Sequence, residues 1–381
     1  MKDDKITVCS VGDLMICDSP LYASVGVGSK YPKIRERLFE NCKPIFEGAD
    51  VVIGNFETVV YKPRNRSLKE TQMCCPKTVI QDLKQVGFNV LNIANNHCMQ
   101  HGAEGFENTR RTCLEAGIMP IGIRDEEPLV KEINGKKLVF LSVCIHLEWY
   151  DPEHIMYEDR IDRIIRSVMR LRKEEKDSIL IVSAHWGDEF AKYPSNAQVA
   201  LAHKLVECGA NVILGHHSHV YQGIEEYQGG LILYGQGNFV SDMVPVMCRQ
   251  TGIVTIQIDD SGNISHTLSP LSIAEDYQLV PTGDDWYAER EELLKKAVSK
   301  SYSDEEYWDA IKKNHAVGHG NFKTFFKHNL MKYHLGVSTR MIVEFLGRKF
   351  KRIVGTTTDG AVSSMDPAIM EALKAIDKEP K

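Results

Sequence analysis

The order of apolar runs predicts an α/β fold for this 381-residue chain. Two observations carry the prediction. Short β-branched runs alternate with amphipathic segments along most of the sequence, and polar residues sit just after those runs rather than within them. The composition, 43% hydrophobic and 26% charged, allows a large core with a solvated surface.

The runs KITVCSV (5–11), DVVIG (50–54), FNVLNIA (88–94), SILIVSA (178–184) and ANVILG (210–215) read as buried strands. Helical patterns fall between them near 33–46, 77–86, 103–116, 160–175 and 196–208, and crossovers of that length favour parallel pairing. Two hairpins add antiparallel pairs: LVKEINGKKLVFLSV (129–143) turns at Asn134-Gly135, and QGIEEYQGGLILYG turns at Gly229-Gly230. Near residue 275 the pattern becomes mainly helical, with segments around 304–313, 320–334, 338–353 and 366–377. Residues 1–275 are therefore expected to form one domain and 276–381 a helical extension.

Several function classes are excluded early. A formal net charge of −6 argues against a dedicated nucleic-acid binder. No apolar run reaches membrane-spanning length, and MKDDKITVCSVGDLM lacks the basic-then-apolar plan of a signal peptide. The ten cysteines show no CxxC spacing and read as reduced thiols, so a cytoplasmic location is expected.

The strand ends carry the chemistry. Asp13 follows the first buried run, Asn55 and Glu57 the second, Asn95, Asn96 and His97 the third, His185 the fourth, and His216, His217 and His219 the fifth. In open α/β sheets the C-terminal strand ends form one rim where ligands bind, so five distant segments are expected to converge. Singly, each has a plainer reading: a strand-end Asp caps a helix, an Asn-Asn pair makes a turn, and a His bonds a carbonyl. Jointly they read as a metal site. Carboxylates, an amide oxygen and several imidazoles suit one or two divalent transition metals such as Mn, Zn or Fe.

The motifs GDLM, NFETVV, ANNHCMQHG, AHWGDEF, GHHSHVYQGIE and LYGQGNFVSD, in this order, closely resemble the CapA family of bacterial capsule and poly-γ-glutamate synthesis proteins. That family is similar to the calcineurin-like metallophosphoesterases. The resemblance implies a four-layer α/β/β/α sandwich of metallo-dependent phosphatase type with metals at the strand ends. It also implies Asp13, Glu57, Asn96, His185, His217 and His219 as ligands, with His97 and Asn96 taking part in chemistry. Asn55, His216, Gln222 and Asn238 are the candidates for lining the substrate pocket. Two positions depart from the pattern: Gln100 stands where the family usually has Asp, and Met15 where general metallophosphoesterases have His.

The implied activity is metal-assisted hydrolysis of a phosphoester, or of a γ-glutamyl or glycan polymer bond, linked to capsule or poly-γ-glutamate synthesis. The alternative is a non-catalytic accessory that binds anionic polymer or a synthase partner through a degenerate metal site. A Cys98–His97 nucleophilic pair is disfavoured, because adjacent residues seldom face one another. Between Phe322 and Val354, eight Lys or Arg stand against one acid, Glu344, among interleaved apolar residues. That segment reads as a packed helical cap, with peripheral contact to an anionic polymer or membrane face as the sharper alternative.

Overall fold

The computed structural model describes residues 5–19, 22–283, 285–300, 302–329, 339 and 366–377. From the N-terminus come β1 (Ile6–Leu14), α1 (Val27–Ile34), α2 (Lys43–Phe46), β2 (Val51–Asn55), β3 (Val59–Val60), α3 (Leu68–Thr71), β4 (Cys74–Cys75), α4 (Thr78–Val86), β5 (Val90–Asn92), α5 (Gly102–Glu115) and β6 (Met119–Ile121). The middle holds β7 (Leu129–Ile133), β8 (Lys136–Cys144), α6 (Ile161–Glu174), β9 (Ile179–His185), α7 (Asn196–Glu207), β10 (Val212–His216), β11 (Tyr221–Tyr227), β12 (Gly230–Gln236) and β13 (Asn238–Val240). Then follow β14 (Gln250–Ile258), β15 (Ile264–Ile273), β16 (Leu279–Pro281), α8 (Asp285–Val298), α9 (Asp304–Asn329) and α10 (Asp366–Ile376).

The strands form two main sheets. The first runs β16-β15-β14-β1-β2-β5-β6 with β13 beside β1, and the second runs β11-β12-β10-β9-β8-β7. Alternation along each strand builds the layers. Ile6 and Val8 of β1 face Leu138 and Phe140 of β8, Ile179 and Ile181 of β9, and Val212 and Leu214 of β10 in one inter-sheet core. The intervening residues point the other way. Cys9 and Val11 join a core with Tyr31, Phe46, Leu83 and Phe106 from the helices on the first sheet. Val139, Leu180, Val182 and Ile213 join another with Ile165, Val168, Leu201 and Leu205 of α6 and α7. The result is the four-layer α/β/β/α sandwich that the resemblance implied.

Local chemistry explains most boundaries. The Asn134-Gly135 hairpin forms as expected, with φ of 50° and 75° at the two positions. The second hairpin turns one residue earlier than expected, at Gln228-Gly229, both of positive φ. The helix expected over 33–46 divides: α1 ends at Ile34, and Pro44, which has no N–H to give, lies in the first turn of α2 instead. The strand pair β14–β15, absent from the expected elements, carries Gln and Thr at positions that interrupt its apolar runs.

The C-terminal helices pack back onto the second sheet. Trp286 enters the inter-sheet core, Leu294, Ile369, Leu373 and Ile376 enter the core under α6 and α7, and Tyr307 and Ile311 pack on Ala191 and Tyr193. The basic stretch 322–354 lies largely outside the described residues, and no described helix is long and apolar enough to cross a membrane.

After β13 the chain is tied to the continuation of β1, because Asp242 accepts the Ser19 backbone N–H at 2.9 Å and the Ser19 hydroxyl at 2.8 Å. Burial raises the Asp242 carboxyl from 3.8 to about 7, against the lowering effect of those two hydrogen bonds. The folded state therefore holds this proton more tightly than the unfolded chain does. Its contribution to stability is fully present below pH 3.8 and is lost as the pH rises through about 7. Asp242→Asn should flatten that part of the profile, read as the wild-type-minus-variant difference in denaturant midpoint across the window.

Candidate metal centre

One register row from each sheet builds the site. In the first sheet Asn238, Asp13, Asn55 and Asn92 are successive cross-strand partners on β13, β1, β2 and β5. In the second, Cys144, His185 and His216 align on β8, β9 and β10. Both rows lie at C-terminal strand ends, so the sandwich brings carboxylate and amides against imidazoles.

The backbone is shaped for this. The ladder slips beside Asp13 on both sides of β1, and a Cβ on the preceding Gly12 would lie 2.0 Å from the Gly237 carbonyl oxygen. Only glycine allows β1 to approach the 237 turn so closely, and the slip re-aims the Asp13 side chain. Beyond β10, His217 and His219 have φ of 87° and 56°. Two left-handed non-glycine residues within three positions hold a sparsely populated conformation of the kind that clusters at functional sites.

Asp13 is fully buried. Its Oδ1 accepts from Asn55 Nδ2 at 2.8 Å and its Oδ2 from the His217 N–H at 3.3 Å. His216 Nδ1 and His219 Nδ1 lie 3.4 Å from its two oxygens. Burial would raise this carboxyl, but the two imidazoles outweigh it and hold Asp13 far below the carboxylate range. Glu57 shows the opposite balance: burial and the neighbouring Asp13 charge push its carboxyl well up. Its Oε1 lies 3.8 Å from His185 Nε2 and 3.9 Å from His219 Nε2, and neither Glu57 oxygen has a hydrogen-bond donor.

The imidazoles diverge in the same way. Burial depresses His219, yet Glu57 and Asp13 outweigh it and raise the ring to about 10. His185 and His217 are depressed well below the imidazole range by burial, to which neighbouring rings add. His185 is held between Asn55 Nδ2 at 3.2 Å and Asn96 Oδ1 at 3.0 Å, whereas His217 Nδ1 and both His216 ring nitrogens have no hydrogen-bond partner. Three overlapping triads, His146-His185-His217, Glu57-His217-His219 and Asp13-Glu57-His185, each bring ligand atoms within 4.8 Å of one another.

All six expected ligands and His97 thus come together, since His97 feels the charges of His219 and Asp13 and its Nδ1 lies 2.7 Å from Gln100 Oε1. Gln100 therefore takes up the ring nitrogen that the usual Asp would face. Met15 packs with Cys17, Met73 and Met243 in an apolar cluster, away from ligand duty. The four pocket candidates fare differently. Asn55 and Asn238 are fully buried behind the ligands: Asn55 Oδ1 accepts from Asn92 and Asn95, and Asn238 Oδ1 lies 2.9 Å from His219 Nδ1. His216 is buried against Asp13. Gln222 is committed elsewhere, donating to the Ala191 carbonyl at 3.0 Å and accepting from Gln198 at 3.3 Å.

His146 was not among the expected residues. Its ring centroid is 3.8 Å from that of His217, and burial, reinforced by His97 and His219, lowers it to about 3. The signal was present in LSVCIH, since His146 follows the buried run of β8 as the others follow theirs. Reading 129–143 only as a hairpin left it out: β7 and β8 do pair antiparallel, and β8 also pairs parallel with β9 inside the second sheet. The loop beyond His146 approaches His97. Glu148 Oε1 accepts the Tyr150 N–H at 2.5 Å, Trp149 stands 73% exposed, and the Tyr150 ring centroid is 6.3 Å from that of His97.

Residues 7–243 match the family described as bacterial capsule synthesis protein PGA_cap. The chain belongs to that family. Capsule biosynthesis protein CapA of Bacillus anthracis is 29% identical over 290 residues, covering 72% of this chain and 69% of that protein. PGA biosynthesis protein CapA of Bacillus subtilis is 28% identical over 292 residues, covering 72% and 73% respectively. A probable polyglutamine synthesis accessory protein of Mycobacterium tuberculosis is 28% identical over 174 residues, covering 40% of this chain and 45% of that protein. The matched family region spans every expected ligand.

Asn55 joins the two rows through a single amide. Asn55→Ala leaves Asp13 Oδ1 without its donor and should destabilise the fold by about 1–3 kcal/mol, the usual cost of an unsatisfied buried group. Chemical denaturation of wild type and variant measures it.

Proposed function

We propose that this PGA_cap family member is a metal-dependent hydrolase acting on an anionic polymer or phosphoester in capsule or polyglutamate synthesis. The observation that carries the proposal is Glu57. Both its oxygens are buried without a donor, and its ligand atoms group with those of His217 and His219 and with those of Asp13 and His185. Buried polar groups are ordinarily satisfied, and a divalent cation beside Glu57 would supply the partner that its oxygens lack. The donor set of carboxylate oxygen, amide oxygen and imidazole nitrogen fits a borderline transition metal.

Asp13, Glu57, Asn96, His185, His217 and His219 would hold the metal, with His146 a further ligand beside His185 and His217. A bound metal of this class supplies a more acidic water and a positive charge facing the oxygen of the scissile group. His97 does the proton work. Burial lowers its pKa below the ordinary imidazole value, so the ring is neutral near pH 7. With Nδ1–H given to Gln100, Nε2 is the basic atom, able to take a proton and return it to a leaving group. Asn55 and Asn238 fix the orientation of Asp13, His185 and His219 from behind. The Tyr150 ring, beside His97, would contact a bound polymer.

Two measurements test this reading. The double variant His217→Ala/His219→Ala should lose the transition metal found in the purified wild-type protein while keeping its circular dichroism spectrum; full metal content would overturn the assignment. His97→Ala should retain metal and lower turnover of phosphoester and γ-glutamyl test substrates by roughly 10²–10⁴-fold. Wild-type protein that holds metal and turns over none of them would be the non-catalytic polymer-binding accessory instead.

A further inference from the structure

A second feature lies beside the metal centre and shares none of its residues. A groove of about 1160 Å³ opens between the segment after β3, the start of α4 and the outer face of α5. Four exposed cations line it: Lys62, Arg66, Lys77 and Arg111. Lys62, Arg66 and Lys77 form no ion pair or side-chain hydrogen bond among the described residues, whereas Arg111 donates to Asn108 at 2.6 Å and lies 3.9 Å from Glu115. One acid, Asp18, is among the lining residues, and its oxygens accept the Ser24 and Ser29 backbone N–H groups, each at 2.8 Å. The lining therefore carries four cations against one carboxylate, and three of those cations have no acidic partner, on a chain whose net charge is −6. Like charges gathered without partners repel one another, and an anionic ligand relieves that repulsion.

The rest of the lining narrows the ligand. Val60, Tyr61, Pro63, Pro76 and Cys75 put apolar surface between the cations. A densely charged polyphosphate would leave this surface facing its own anions, whereas a chain with methylene groups between carboxylates would cover it. Location adds to this. Glu57 and Val60 are three residues apart, so at full extension their Cα atoms are separated by no more than about 10 Å.

We infer that this groove binds a linear polyanion whose carboxylates are spaced by apolar chain, holding the polymer as it runs toward the metal centre. The inference rests on the anionic-polymer reading of the function, but not on catalysis.

The test uses the full chain and a fluorescein-labelled glutamate oligomer, with polarisation read at low and raised salt. Wild-type protein should bind the oligomer, and added salt should weaken the binding. Each cation near an anionic partner contributes about fivefold, so Lys62→Ala/Arg66→Ala/Lys77→Ala should weaken binding by about a hundredfold. Metal content and turnover of a small test ester should stay unchanged. The single charge reversal Lys77→Glu provides the same test with minimal disturbance of the fold. His217→Ala/His219→Ala should keep oligomer binding while losing metal, which separates failure of the groove from failure of the metal reading. Wild-type affinity in both groove variants, or no oligomer binding by wild-type protein at low salt, would overturn the groove assignment. Tighter binding of inorganic polyphosphate of equal charge, lost in the same triple variant, would overturn the carboxylate choice.

Discussion

A carboxylate with no access to water organises this site. Removing a charged Asp13 from solvent is expensive unless donors and positive charge meet it inside the protein. It is met from several directions, by the Asn55 amide, the His217 N–H and the rings of His216 and His219. Each of those partners requires its own backbone. The glycine before Asp13, the ladder slip on both sides of β1 and the left-handed conformations of His217 and His219 are parts of one solution. The two sheets are held in register by the core between them, and that register sets how far the carboxylate row stands from the imidazole row.

Neighbouring groups inside this volume are driven in opposite directions. His219 rises to about 10 because Glu57 and Asp13 outweigh its burial, while His146 falls to about 3 because burial is joined by the charges of His97 and His219. Divergence of this kind between adjacent groups is a mark of sites built for chemistry or metal binding. Glu57 has no hydrogen-bond donor, and burial with the Asp13 charge pushes its carboxyl well up, so ionising it fully calls for a further cation.

The surroundings extend the site outward. The C-terminal helices bear on it through the loop after β9, where Tyr307 of α9 donates its hydroxyl to the buried Asp188 at 2.8 Å. Asp188 lies three residues beyond His185, so α9 braces the segment that carries that histidine. On another side, the chain leaving Glu57 becomes the wall of the basic groove.

The sequence determined the α/β class, five of the strands and which polar residues stand at the strand ends, because a buried strand is a local apolar run and its end is marked by the first polar residues after it. His217 and His219 were legible in that way, and so was His97. Only the tertiary structure decided what depends on pairing between distant segments. His146 became visible once β8 was seen to pair parallel with β9 inside the sheet. Asn55 and Asn238 changed from pocket-lining candidates to buried supports, and Gln222 left the site altogether, because exposure and hydrogen-bond partners depend on what packs on top of a residue. The groove cations were likewise scattered single charges in the sequence, from Lys62 to Arg111, until β3, α4 and α5 brought them around one space. Local pattern fixes which groups are available, and long-range register fixes which of them meet.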